Sequence, residues 1–121
     1  MTYVDGFVIP VPRKNLAAYK KMAADGARVW KKHGALEYFE CVGDDLFPKM
    51  PGMKIAQFPS LAKARAGETV VFSFIVYKSK GHRNAVNKKV MKEMGGTEHP
   101  PTMPFDVKRM AFGGFKTIVQ A

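Results

Sequence analysis

The chain contains a single cysteine, Cys41, so no internal disulfide can form and no paired-cysteine metal site is available. It has no HExxH motif, and no glycine pattern matches a Walker loop or a dinucleotide fingerprint, which removes motif-based phosphate cradling. No cofactor is therefore expected. No apolar run approaches the roughly 20 residues that a membrane-spanning helix needs, so no membrane association is expected. Residues Met1–Asp5 show neither the basic start nor the apolar core of a signal peptide. Together with the lone cysteine, this makes the cytoplasm the expected location.

Acidic residues are also scarce. Ten Asp plus Glu against 20 Lys plus Arg give a formal charge of +10, enough to attract any polyanion. The positive residues fall as Arg13 and Lys14, Lys20 and Lys21, Arg28 with Lys31 and Lys32, and Lys88, Lys89 and Lys92, mostly inside two helical segments. That distribution describes solvated helix faces. There is no basic tail, zinc-finger spacing or aromatic RNA-reading signature, so nucleic acid is not an expected partner. A basic module binding nucleic acid or a partner protein stays the weaker alternative.

At 121 residues the chain fits one domain, residues 1–121, that buries roughly two-thirds of its unfolded surface. Tyr3 to Ile9 read as a strand that Pro10 and Pro12 should stop. A helical period follows from about Lys14, with Leu16, Tyr19, Ala23, Ala27 and Trp30 inward and Gly34 as the stop. Asp25 and Gly26 interrupt it, which implies a kink or a close helix-to-sheet contact. Leu36 to Val42 form the second strand. The irregular stretch 43–68 should hold an extended piece near Lys54–Phe58 and a helical turn near Ser60–Arg65.

Thr69 to Tyr77 (TVVFSFIVY) is the strongest strand signal. Ser79 can cap a second helix running to about Met94, with Ala85, Val86, Val90 and Met94 on its inner stripe. Gly95 and Gly96 end it, Pro100, Pro101 and Pro104 mark a loop, and Lys108 to Val119 read as the last strand. The order βαββαβ predicts an α+β, ferredoxin-like antiparallel sheet with both helices on one face. In the third strand Val70, Phe72, Phe74 and Val76 share one side while Val71, Ser73, Ile75 and Tyr77 share the other. Both faces want burial, and a homodimer packed sheet to sheet supplies the second cover.

Five residues stand out as ligand-binding candidates: Asp5, Glu40, Ser73, Arg109 and His82. Asp5 shares parity with Tyr3 and Phe7. With Val4, Gly6 and Val8 toward the helices, it points into the space between sheets, where Arg109 or Lys108 would be its partner. It reads either as an acid, base or anion-binding pair in a barrel cavity or, preferably, as a structural ion pair at the dimer seam. His82, in the first turn after Ser79, suits a neutral hydrogen-bonding group. His33 reads as a helix C-terminal residue favoured by the dipole, and Cys41 as a small core residue rather than a nucleophile. Asp106 should cap a turn. Gly113 and Gly114 imply a bulge or a close backbone approach. No catalytic assignment follows, and no metal-ligand set emerges.

The blocks YVDGFVIPVP at 3–12, HGALEYFECV at 33–42, TVVFSFIVYKS at 69–79 followed by HRNAVN, and MPFDVKRMAFGGF at 103–115 resemble a known family, domain of unknown function 1428. Val107 stands where that family's pattern has glycine. The resemblance implies a dimeric α+β barrel and no established activity. Related barrels include monooxygenases, lyases and isomerases, so a monooxygenase- or isomerase-like enzyme is one alternative. The leading expectation is a small anionic or aromatic molecule bound between sheet and helices, lined by Asp5, Ser73, Glu40 and Arg109.

Overall fold

A computed structural model describes residues 1–95 and 103–121. Gly96, His99, Pro100 and Pro101 lie outside the described residues. The fold is mixed α+β: a four-stranded, wholly antiparallel sheet with helices. Its strands are β1 (Tyr3–Pro12), β2 (Glu37–Val42), β3 (Glu68–Tyr77) and β4 (Ala111–Lys116), in the spatial order β2-β3-β1-β4. Its helices are α1 (Leu16–Lys32), α2 (Phe58–Leu61) and α3 (Lys80–Met94). Among the described residues, no helix is long and apolar enough to cross a membrane.

β1 does not stop at its prolines. It runs on to Pro12, pairing Pro10 with Val70 and Pro12 with Glu68. The Arg13 N–H donates to the Gly67 carbonyl, at 2.9 Å on the β3 side, so alternation aims the nitrogens of Pro10 and Pro12 the other way. β4 leaves β1 at Val8, and the missing donors face no strand. β4 is shorter than the expected 108–119 because Val107–Arg109 form a 3-10 turn, with Asp106 Oδ1 accepting the Lys108 N–H at 3.0 Å. Asp106 thus plays its expected capping role. No paired strand forms at Lys54–Phe58, although Gln57 is extended, and the helical turn begins earlier than expected, at Phe58.

α1 runs through Asp25 and Gly26 without a break. The reason is close packing: a Cβ on Gly26 would lie 3.3 Å from the Tyr38 hydroxyl. Gly34, at φ +112°, provides the left-handed stop. Val86 and Val90 form the inner stripe of α3, whereas Ala85 is exposed and Met94 only partly covered. Two core clusters result. One joins Val29, Ile75, Tyr77, Val86 and Val90; the other joins Ile9, Val11, Tyr19, Ala23 and Val71. Among the described residues Lys63 is the one non-glycine with positive φ, so Val107 needs no glycine-like backbone.

Register places Tyr3, Asp5, Phe7, Ser73, Ile75, Tyr77, Tyr38 and Glu40 on one sheet face. That is the helix-covered face, because Asp5 bonds Arg83 of α3 and Glu40 bonds Tyr19 of α1. The parity expected for Asp5 was therefore inverted, and both Asp5 and Ser73 lie under the helices rather than at a seam. The opposite face carries Val4, Val8, Phe39, Phe72, Phe74 and Phe115, with Phe39, Phe72 and Phe115 44–62% exposed. That face forms an apolar hollow of about 560 Å³.

Candidate functional site

Glu40 lies in β2, opposite Ser73 of the central strand β3. Strand alternation turns it and Tyr38 toward the helices. Its Oε1 accepts the Tyr19 hydroxyl at 2.7 Å and its Oε2 accepts the Tyr38 hydroxyl at 2.8 Å. Each carboxylate oxygen thus has one fixed neutral donor. Both hydroxyls are held well above the usual tyrosine range. For Tyr19 the causes are burial first and the Glu40 hydrogen bond second; for Tyr38 they are burial and then the Glu40 charge. The tyrosines therefore remain protonated donors throughout the physiological range.

Between α1 and β2 lies a cleft of about 470 Å³, within the size range of small-molecule sites. Its walls include Leu16, Ala23, Ala24, Ala27, Val42 and Val71, with Tyr19, Tyr38 and Glu40 among the polar groups and exposed Lys20 on α1. The run of alanines gives the cleft its depth, because larger side chains on that face of α1 would fill it. The depth is set by sequence, while the polar anchor is set by strand parity.

The other expected site residues do not converge on this cleft. Asp5, 1% exposed, accepts the Arg83 Nε–H at 3.0 Å, and Arg83 also donates to the Tyr3 hydroxyl. This buried pair replaces the expected partnership with Arg109 or Lys108. Nearby, the Trp30 indole and the Tyr77 hydroxyl both donate to Asn87 Oδ1, at 3.1 and 3.2 Å. Burial, and next the Asp5 charge, pushes the Tyr77 hydroxyl up.

Arg109 instead forms a bidentate pair with Glu68, at 2.7 and 2.8 Å, and donates to the Lys63 carbonyl at 2.6 Å. The arginine fork holds the Glu68 carboxyl down at about 2. Its task is to anchor the end of the 43–68 loop. Ser73 is buried between Glu40 and Phe7 in register and does not line the cleft. His82 Nδ1 accepts the Lys78 N–H at 2.9 Å, and the His82 backbone N–H donates to Ser79 Oγ at 3.0 Å, so the residue serves the start of α3. His33 pairs with Glu93 at 2.8 Å. Among the described residues, no group of three His, Cys, Asp or Glu is placed to hold a metal ion.

Glu40 was legible as a candidate, but its partners were not. Tyr19 read as helix core and Tyr38 as packing. The signal that joins them is that Tyr38 and Glu40 stand two apart in one strand while Tyr19 lies on the inward stripe of the helix above. Arg83 carried no signal that set it apart from the other basic residues of α3.

The model of a family described as protein of unknown function (DUF1428) matches residues 2–107. The chain belongs to this family. Uncharacterized protein YbaA of Escherichia coli strain K12 is 44% identical over 119 residues, covering 98% of each chain. The YbaA protein of Shigella flexneri matches to the same extent. Among solved structures, a de novo designed protein, Foldit4, aligns over 97% of this chain and 99% of its own, with 11% identity and a TM-score of 0.46. The family match contains Tyr19, Tyr38, Glu40 and the Asp5–Arg83 pair, whereas Arg109 and β4 lie beyond it.

Proposed function

We propose that the chain is a single cytoplasmic domain of ferredoxin-like order that pairs with a second copy across its open sheet face, forming a dimeric α+β barrel. Each protomer holds a small molecule with an aromatic or apolar body in the α1–β2 cleft. The observation that carries the binding role is the Glu40 carboxylate, fixed by two tyrosine hydroxyls inside a cleft otherwise lined by exposed Lys20, Cys41 and apolar side chains. A rigid polar anchor in an apolar cavity is the usual makeup of a small-molecule site. A carboxylate on the wall works against an anionic ligand, so the aromatic alternative fits the lining better.

Pairing is supported by the chemistry of the open face. Phe39, Phe72, Phe74 and Phe115 share it, and none of the 20 Lys plus Arg points from a strand onto it. Glu37 and Glu68 stand at its two ends. A two-fold axis through such a face lets one patch serve as both halves of the interface.

Ligand-observed NMR with a library of small aromatic fragments tests the cleft, using Ala24→Trp to fill it. Fragments should bind the parent and lose binding in the variant. Equal binding to both would remove the cleft as the site. Light scattering tests the pairing: the parent should run at twice the chain mass and Phe74→Glu at the monomer mass.

A further inference from the structure

Three carboxylates among the described residues are not exposed: Asp5, Glu40 and Glu68. Asp5 is neutralised by Arg83 at 3.0 Å and Glu68 by Arg109 at 2.7 Å. Glu40 differs. Among the described residues no Lys, Arg or His comes within ion-pair distance of it, although basic residues outnumber acidic ones 20 to 10. Its two contacts are neutral hydroxyls, one on each oxygen. An ionised carboxylate offers about four acceptor positions, so each oxygen keeps one for a further donor, on a wall of the cleft.

We propose that the counter-ion of Glu40 is supplied by the ligand: an organic cation, an ammonium or amidinium group carried on an aromatic or apolar body. This rests on the cleft being a small-molecule site and names the chemistry it selects. The amidinium or ammonium N–H groups take the free acceptor positions on Oε1 and Oε2, which the tyrosines hold in a fixed plane. Such charge-assisted contacts are the strong hydrogen bonds of protein sites, and planar amidinium matches a carboxylate in two-pronged fashion. The apolar body lies against Ala23, Ala24, Ala27 and Leu16. A metal ion fits poorly, because among the described residues Glu40 is the one carboxylate lining the cleft, whereas hard cations gather six or more oxygen ligands.

Three isosteric probes, benzamidine, benzamide and benzoate, titrated calorimetrically into the parent protein make the test. Benzamidine should bind at least about tenfold more tightly than benzamide, and benzoate should bind most weakly. In Glu40→Gln the benzamidine advantage should vanish while benzamide binding changes little. The circular dichroism of the variant confirms that it folds, and the charge series on the parent is independent of any variant. Benzamide binding as tightly as benzamidine, with both blocked by Ala24→Trp, would overturn the cation preference and leave the cleft as a binding site. Failure of all three probes to bind would overturn both readings.

Discussion

Arg83 of α3 reaches down to Asp5 near the start of β1, its Nε 3.0 Å from Oδ1. The Asp5 side chain is 2% exposed and that of Arg83 20%. Removing the cation strands a buried carboxylate, whose desolvation is then uncompensated. Arg83→Met should destabilise the protein by about 3 kcal/mol, the lower end for a broken buried pair because Arg83 keeps some solvent. Adding Asp5→Val should recover a large part of that loss. Urea unfolding of the two variants decides: additive losses would show that the pair is not coupled.

Gly114 permits this pair to sit where it does. A Cβ at that position would overlap the Tyr3 hydroxyl and the Arg83 guanidinium. Gly114→Ala should therefore cost about 1 to 3 kcal/mol, as overpacking does. A Cβ at the adjacent Gly113 would meet only the Phe115 ring, at 3.6 Å, and Gly113→Ala should be much milder. Equal losses in thermal melts of the two variants would contradict the account.

The Glu68–Arg109 fork should shape the acid limb of stability. The arginine bond holds Glu68 at about 2 against an ordinary 4.5. Because the folded value is depressed, the stabilisation is complete above about 4.5 and is lost as pH falls toward about 2. Urea midpoints of the parent should fall through that window. Those of Glu68→Gln should start lower at neutral pH and fall less steeply. Glu93, also lowered by its bonds to Lys32 and His33, should leave the variant a residual slope. A parallel decline in both proteins would refute a special role for Glu68.

Gly26 offers a way to disturb the cleft without disturbing the fold. Alanine there gains about 1 kcal/mol of helix propensity, offset by pressure on the Tyr38 hydroxyl, 3.3 Å from the new methyl. Gly26→Ala should stay within about 1 kcal/mol of the parent in stability. Yet it should weaken benzamidine binding by displacing Tyr38 from Glu40. Unchanged binding would mean that Tyr38 does not fix the carboxylate.

The elements that bury apolar stripes were legible in the sequence: α1, β3 and the two apolar faces of the sheet. Ends were harder, because they depend on partners that no local period records. β1 runs on to Pro12 only because β4 has left that side, and β4 starts late because Asp106 caps a turn before it. Alternation also sorts a strand into two sets without saying which set meets the helices. That is why parity alone puts Asp5 on the wrong face and gives no sign of Arg83. Glu40 could be singled out by type and position, but the two hydroxyls that hold it come from facing elements.

The open sheet face has a consequence for the proposed pairing of two copies. With a net charge of +10, two molecules approaching helix side to helix side bring cation against cation. Only the open face, onto which no strand directs a lysine or arginine, escapes that repulsion. Diffusional encounters leading to that pairing would thereby be sorted before any contact forms, most strongly at low ionic strength. In the proposed dimer, orientation would be chosen in the approach rather than in the docked state.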